Sequence, residues 1–279
     1  MHTDPQGMRS KAALVSGDVR PWHVIFLFLV IWSVSLVASY ELTTRVAPSV
    51  RMEFRQIAMS TIFAALCLVF TITVPEFRRS LSLLFAIPIR KVDIPDMAWT
   101  FAAMLCWGYG IYRVAICLPI AYLDLSLRDK FIMQALAPFE WKFLVFLAGA
   151  VIVAPIGEEL FFRGYLLNLW IARWGTVGAV LASSIVFGLF HDYATLYAAP
   201  LGIILALVYL RYDSLWPGIA LHALYNLFAF PWILGGLFYV RPRDATYQLA
   251  TWAPEIVVSL LAVPVFAVFL RRFRVRNSN

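Results

Sequence analysis

The sequence predicts an all-α, polytopic membrane protein, on three observations. Hydrophobic residues make up 62% of the 279 residues and charged residues only 14%, too few polar groups to coat a soluble core of this size. The apolar residues fall into runs close to the roughly 20 residues that a bilayer span needs. Lysines and arginines gather at the ends of those runs, where membrane orientation accounts for the net charge of +7 without nucleic acid.

About eight transmembrane helices are expected, near 22–40, 56–74, 97–121, 142–162, 176–191, 195–210, 215–239 and 255–270. The first follows Arg9, Lys11 and Arg20 like a signal peptide, but it is too long and lacks a small-residue cleavage site, so it is read as a retained span. Between the second and third, Pro75, Pro88 and Pro95 frame an apolar stretch suited to lie along the membrane surface. The fourth is expected to continue to about Trp170, and the fifth and sixth to form a hairpin turning at His191–Ala194. After the last, Arg271, Arg272, Arg274 and Arg276 read as a stop-transfer anchor. Lysines and arginines outside the spans favour both termini on the cytoplasmic side, of the inner membrane if the source is bacterial.

Cys67, Cys106 and Cys117 lie inside apolar segments without paired spacing and are read as packing residues. No repeat or flexible linker divides the chain. One continuous membrane domain is expected, comprising N-terminal spans at 1–141, a motif-bearing core at 142–235 and a last span with a basic tail at 236–279.

A charged group at the centre of a span costs about 2.5–3.5 kcal/mol on insertion scales, so such groups should face a partner or a watery cavity. In the second half these are Glu158, Glu159, Arg163, His191, Asp192, His222 and Asn226. Glu159 and Arg163 stand four apart, so they can pair on one helical face and are assigned a supporting role. Glu158 is turned about 100° away and needs another partner. His222 and Asn226, also four apart, can project into one cavity with it and His191. A carboxylate with a neighbouring imidazole can deprotonate water, while a second imidazole and an amide can donate to the oxyanion formed when that water attacks a carbonyl. The bland readings are a carbonyl-bonded histidine and an ordinary kink at Pro155 and Gly157. Asp192 is read as a solvated turn residue and Asn168 as polar helix surface near the membrane boundary. Arg113 is left between pairing and snorkelling.

The order E-E-x-x-x-R (Glu158, Glu159, Arg163), F-x-x-x-H (Phe187, His191), H-x-x-x-N (His222, Asn226) resembles the CPBP intramembrane protease family over roughly 142–235. That family includes the type II CAAX prenyl endopeptidases and Abi-type proteins. The resemblance implies an endopeptidase in which Glu158 and His191 activate water and His222 and Asn226 form the oxyanion hole. It also implies a membrane-tethered protein or peptide as substrate, in contact with the bilayer.

No cofactor is expected. If zinc were present, Glu158, His191 and His222 would be its ligands, but there is no H-E-x-x-H and Asn226 is a poor zinc donor. Two readings compete with the protease: a proton- or ion-coupled transporter using the same buried groups, and a non-catalytic scaffold of the same family.

Overall fold

The computed structural model describes residues 21–44, 51–73, 78, 92–111, 114, 147–191, 195–229 and 253–273. Among them the chain is helical, without strands. The helices are α1 (Pro21–Thr44), α2 (Arg51–Thr73), α3 (Ile94–Leu105), α4 (Ala154–Glu159), α5 (Asn168–Leu189), α6 (Thr195–Tyr212), α7 (Leu215–Ala229) and α8 (Ala253–Arg272). Three helical stretches are long and apolar enough to cross a membrane, Gly149–Leu189, Thr195–Tyr212 and Ala253–Arg272, with shorter apolar helices at Leu29–Thr44 and Thr61–Thr73. The expected third span beyond 114, the end of the seventh beyond 229, the surface segment before 92, Arg113, Asp192 and Cys117 lie outside the described residues.

The expected fourth and fifth spans run together as one helical stretch, broken only where Gly175 takes φ 69 and ψ 174. That left-handed φ is open to glycine without steric cost, so Gly175 is where the chain turns from one helical arm into the next. Two further departures from α geometry flank the glutamates. Residues Gly149–Val153 and Leu160–Leu167 are π-helical, on either side of α4. Pro155 has no N–H to give to an α ladder, and directly before it the Ala154 N–H reaches five residues back to the Gly149 carbonyl. The wider turn accommodates the proline inside a continuous helix.

The described residues fall into two compact units, with boundaries at 92/93 and at 223/224, inside α7. In the first, a core of Phe161, Phe162, Leu166, Leu167, Leu169, Phe187, Ala206 and Leu210 surrounds the π-helical segment. Close helix approach is made by glycines. A Cβ at Gly157 would stand 3.1 Å from that of Ala64 on α2, and one at Gly202 on α6 would stand 3.1 Å from Cα of Ser184 on α5. Tyr165 and Thr71 share a buried hydroxyl hydrogen bond that ties the π segment to α2. In the second unit, Gly110 lets the π-helical turn after α3 lie against α8, where a Cβ would meet Ser259 N at 2.8 Å. Arg272 donates to the buried Asp96 carboxylate at 2.6 Å, fastening the end of α8 to the start of α3.

The tightest approach with a functional bearing is at Gly188. A Cβ there would lie 2.7 Å from Ala199 Cβ and 2.9 Å from the Thr195 carbonyl oxygen. The α5–α6 hairpin therefore closes only around a glycine, and the His191 N–H bonds to the Gly188 carbonyl at 2.8 Å just past it. Gly188→Ala is expected to destabilise the protein by about 1–3 kcal/mol through overpacking, read as a lower melting temperature in detergent. Unchanged melting would contradict the close approach.

Candidate active site

The first unit brings Glu158, Glu159, Arg163, His191 and His222 together from four segments. Glu159 and Arg163 are almost fully buried, at 1% and 2% exposure. Arg163 Nη1 donates to Glu159 Oε1 at 2.8 Å, and Arg163 Nη2 donates to the Gly202 carbonyl at 3.0 Å. The guanidinium also lies over the Phe187 ring, 4.6 Å from its centroid. Charge, backbone dipole and aromatic face together hold this cation inside the helices.

The Glu159 carboxylate has a second function in the geometry, because its Oε1 also accepts from Nδ1 of His222 at 2.9 Å. A carboxylate only accepts, so Nδ1 of His222 carries hydrogen and Nε2 is left as the free nitrogen of the neutral ring. His191 is fixed in the same sense. Its Nδ1 donates to the Phe187 carbonyl at 2.7 Å, one helical turn back, and again Nε2 is the free nitrogen. Both free nitrogens turn toward Glu158: His191 Nε2 lies 3.9 Å and His222 Nε2 3.8 Å from Glu158 Oε2.

Those separations are too long for direct hydrogen bonds. Glu158 Oε2 is buried and carries no hydrogen bond. With both rings neutral, three acceptor atoms thus converge, a carboxylate oxygen and two imidazole nitrogens, with no donor among them. Such a cluster suits a group that brings protons, and a water molecule is the smallest one able to donate to two of the three. Glu158 and His191 remain partly open, at 21% and 32% side-chain exposure, so an outside molecule has access.

A divalent metal would draw on the same three donors. Among the described residues no group of three or more His, Cys, Asp or Glu that could hold a metal ion is found.

Asn226 lies one turn beyond His222 on α7, across the boundary into the second unit, and is half-buried. Asn168 differs from the expectation that it forms polar helix surface. It is 3% exposed, and its side-chain Nδ2 donates to the carbonyls of Arg163 and Gly164 at 2.8 and 2.9 Å and to the Tyr209 hydroxyl at 2.7 Å. The physical reason is the π-helical run before it, whose register breaks at Asn168 and presents carbonyls to a side-chain donor. Sequence reasoning also gave no role to the Phe187 carbonyl, the Gly202 carbonyl or Gly218. The i, i+4 spacing of Phe187 and His191 carried the first of these. A Cβ at Gly218 would lie 3.2 Å from Glu159 Oε2, a close approach with no sequence signal.

Comparison with protein families gives a match over residues 140–228, to the family described as type II CAAX prenyl endopeptidase Rce1-like. Comparison with curated proteins and with solved structures gives no match. The matched segment contains Glu158, Glu159, Arg163, His191, His222 and Asn226, and the apolar helices make the chain an integral membrane protein. Over residues 140–228 the chain is thus similar to the type II CAAX prenyl endopeptidase Rce1-like family.

Proposed function

We propose that the protein is an endopeptidase that hydrolyses a peptide bond of a membrane-tethered protein, with Glu158 as the general base. The observation that carries this reading is the convergence of two Nδ1-anchored imidazoles on the unpartnered Oε2 of Glu158. In this reading a water sits between Glu158 and His191. Its proton passes to Glu158 as its oxygen attacks the scissile carbonyl carbon, and Glu158 returns the proton to the leaving nitrogen when the C–N bond breaks.

The carbonyl oxygen becomes negative as the tetrahedral intermediate forms. His222, when its Nε2 is protonated, donates to that oxygen, and the Glu159 carboxylate behind Nδ1 stabilises the charged ring. Asn226 is assigned the second donor on the H-x-x-x-N motif of the family resemblance. The family match makes a prenylated Cys-a-a-X protein the first substrate class to try, and a lipidated peptide pheromone precursor the next.

No metal is part of this mechanism. Cleavage is therefore expected to survive exhaustive removal of zinc from the purified protein, measured on a farnesylated Cys-a-a-X peptide in lipid nanodiscs. Loss of activity on chelation with recovery on adding zinc would overturn the metal-free mechanism. Failure to cleave any tethered peptide, with or without a lipid, would favour a transporter or a scaffold instead.

A further inference from the structure

We propose that Asn168 and Tyr209, neither of which approaches Glu158 Oε2 through any bond described above, are positioning residues for the reaction. The proposal rests on the protease reading and adds a mechanical support to it. The argument begins with the π-helical run Leu160–Leu167, which carries Arg163. A π turn holds more residues than an α turn and is rare because it is less stable, so its persistence needs an external hold. Asn168 supplies one from inside the helix by folding its amide back onto the carbonyls of residues 163 and 164.

Helix α6 supplies the second hold. Tyr209 accepts from the Asn168 amide, and two turns earlier on the same helix the Gly202 carbonyl accepts from Arg163 Nη2. Residues seven apart lie on one helical face, so α6 grips Arg163 at both ends: its guanidinium through Gly202 and its backbone carbonyl through Tyr209 and Asn168. Asn168 and Tyr209 are each 3% exposed, so water does not compete for these bonds. From Arg163 the hold passes to Glu159 Oε1, and from that oxygen to Nδ1 of His222. The aim of His222 Nε2 toward Glu158 is thus fixed by a chain of hydrogen bonds that starts at Asn168. Misplacing a group in an active site by about 1 Å can cost on the order of 100-fold in rate.

The test compares steady-state cleavage of a farnesylated Cys-a-a-X peptide, or of whichever tethered peptide the wild type cuts, by purified Asn168→Ala, Tyr209→Phe, Arg163→Lys and the Asn168→Ala/Arg163→Lys double variant. Rates are taken per monodisperse folded molecule, with Glu158→Gln as control. Asn168→Ala is expected to lower kcat by roughly 10- to 100-fold with KM within about twofold, and Tyr209→Phe to lower it by roughly 3- to 10-fold. The double variant should be no slower than Arg163→Lys alone, because Asn168 acts through Arg163.

A purely structural asparagine would give less folded protein with normal kcat, or losses that multiply in the double variant, and either result overturns the proposal. If Asn168→Ala is not recovered folded, Tyr209→Phe decides, since it removes one buried hydroxyl and keeps the ring: an unchanged kcat sinks the idea. Wild-type cleavage by Glu158→Gln would instead overturn Glu158 as the general base, failure of the wild type to cut any tethered peptide would overturn the protease reading, and with either goes the support assigned here.

Discussion

Glu158→Gln is expected to lower peptide cleavage by about 10³-fold, within the 10²- to 10⁴-fold range that a positioned general base contributes, while leaving the fold as stable as wild type or more so. The two halves of this expectation have one origin. When both rings are neutral, Glu158 Oε2 faces two imidazole nitrogens without hydrogen, and a carboxylate there adds a third acceptor to a cluster without a donor. A glutamine of the same shape brings an N–H₂ that can donate to either ring, so the folded state gains a partner. What the amide loses is basicity, and water is no longer deprotonated. Stability is read by melting in detergent and cleavage by mass spectrometry of the peptide. A variant that cleaves at the wild-type rate would remove Glu158 from the mechanism. A variant that unfolds would show that its carboxylate is structural.

The second large effect lies at Glu159 and Arg163 and has the opposite signature. Arg163→Met leaves the Glu159 carboxylate buried with only the His222 imidazole beside it, and Glu159→Gln takes from the guanidinium the carboxylate it donates to. Breaking a buried ion pair on one side costs about 3–5 kcal/mol, so either change is expected to lower the melting temperature by many degrees. The pair is not thereby a large net source of stability, because burying both charges has its own desolvation cost. The double variant Glu159→Leu/Arg163→Met should accordingly recover most of the lost stability. It should not recover the rate, since His222 Nδ1 has then lost the oxygen that orients it, and a reduction of about 10- to 100-fold is expected from a misaligned ring. Thermal melting and kcat of the three variants check this together. A double variant restored in both properties would show that Glu159 does nothing for His222.

The residues that announce themselves in the sequence are those whose cost in a membrane is high. Glu158, Glu159, Arg163, His191 and His222 stand out because an apolar span does not carry them without a reason, and the i, i+4 spacing of Glu159 and Arg163 places them on one face in advance. The helical character of the chain was legible for the same reason, but of the eight spans expected, the described residues hold three stretches long and apolar enough to cross a membrane. The π-helical turns were not legible. Nothing in "APIGEELFFRGYLLN" separates a π turn from an α turn except the proline, whose effect on the ladder is local.

Asn168 was misread as surface because an asparagine near a span's end is ordinarily solvated. Its burial follows from the carbonyls that the π run turns toward it. Tertiary partners such as the Gly202 carbonyl and the Gly218 face opposite Glu159 lie far along the chain and leave no periodic trace. The kink at Gly175 belongs to the same class, because a glycine inside a helical pattern is compatible with a break or with none.

The central claim is that water activated at Glu158 hydrolyses a membrane-tethered protein. Its most direct test is to incubate membranes holding wild-type protein or Glu158→Gln in H₂¹⁸O and to search by mass spectrometry for new C-termini on membrane-anchored proteins. The account predicts a new terminus carrying ¹⁸O with wild type only, and the residues around the cut name the substrate. The same terminus in both samples, or none in either while the variant still loses the wild-type phenotype, would contradict it.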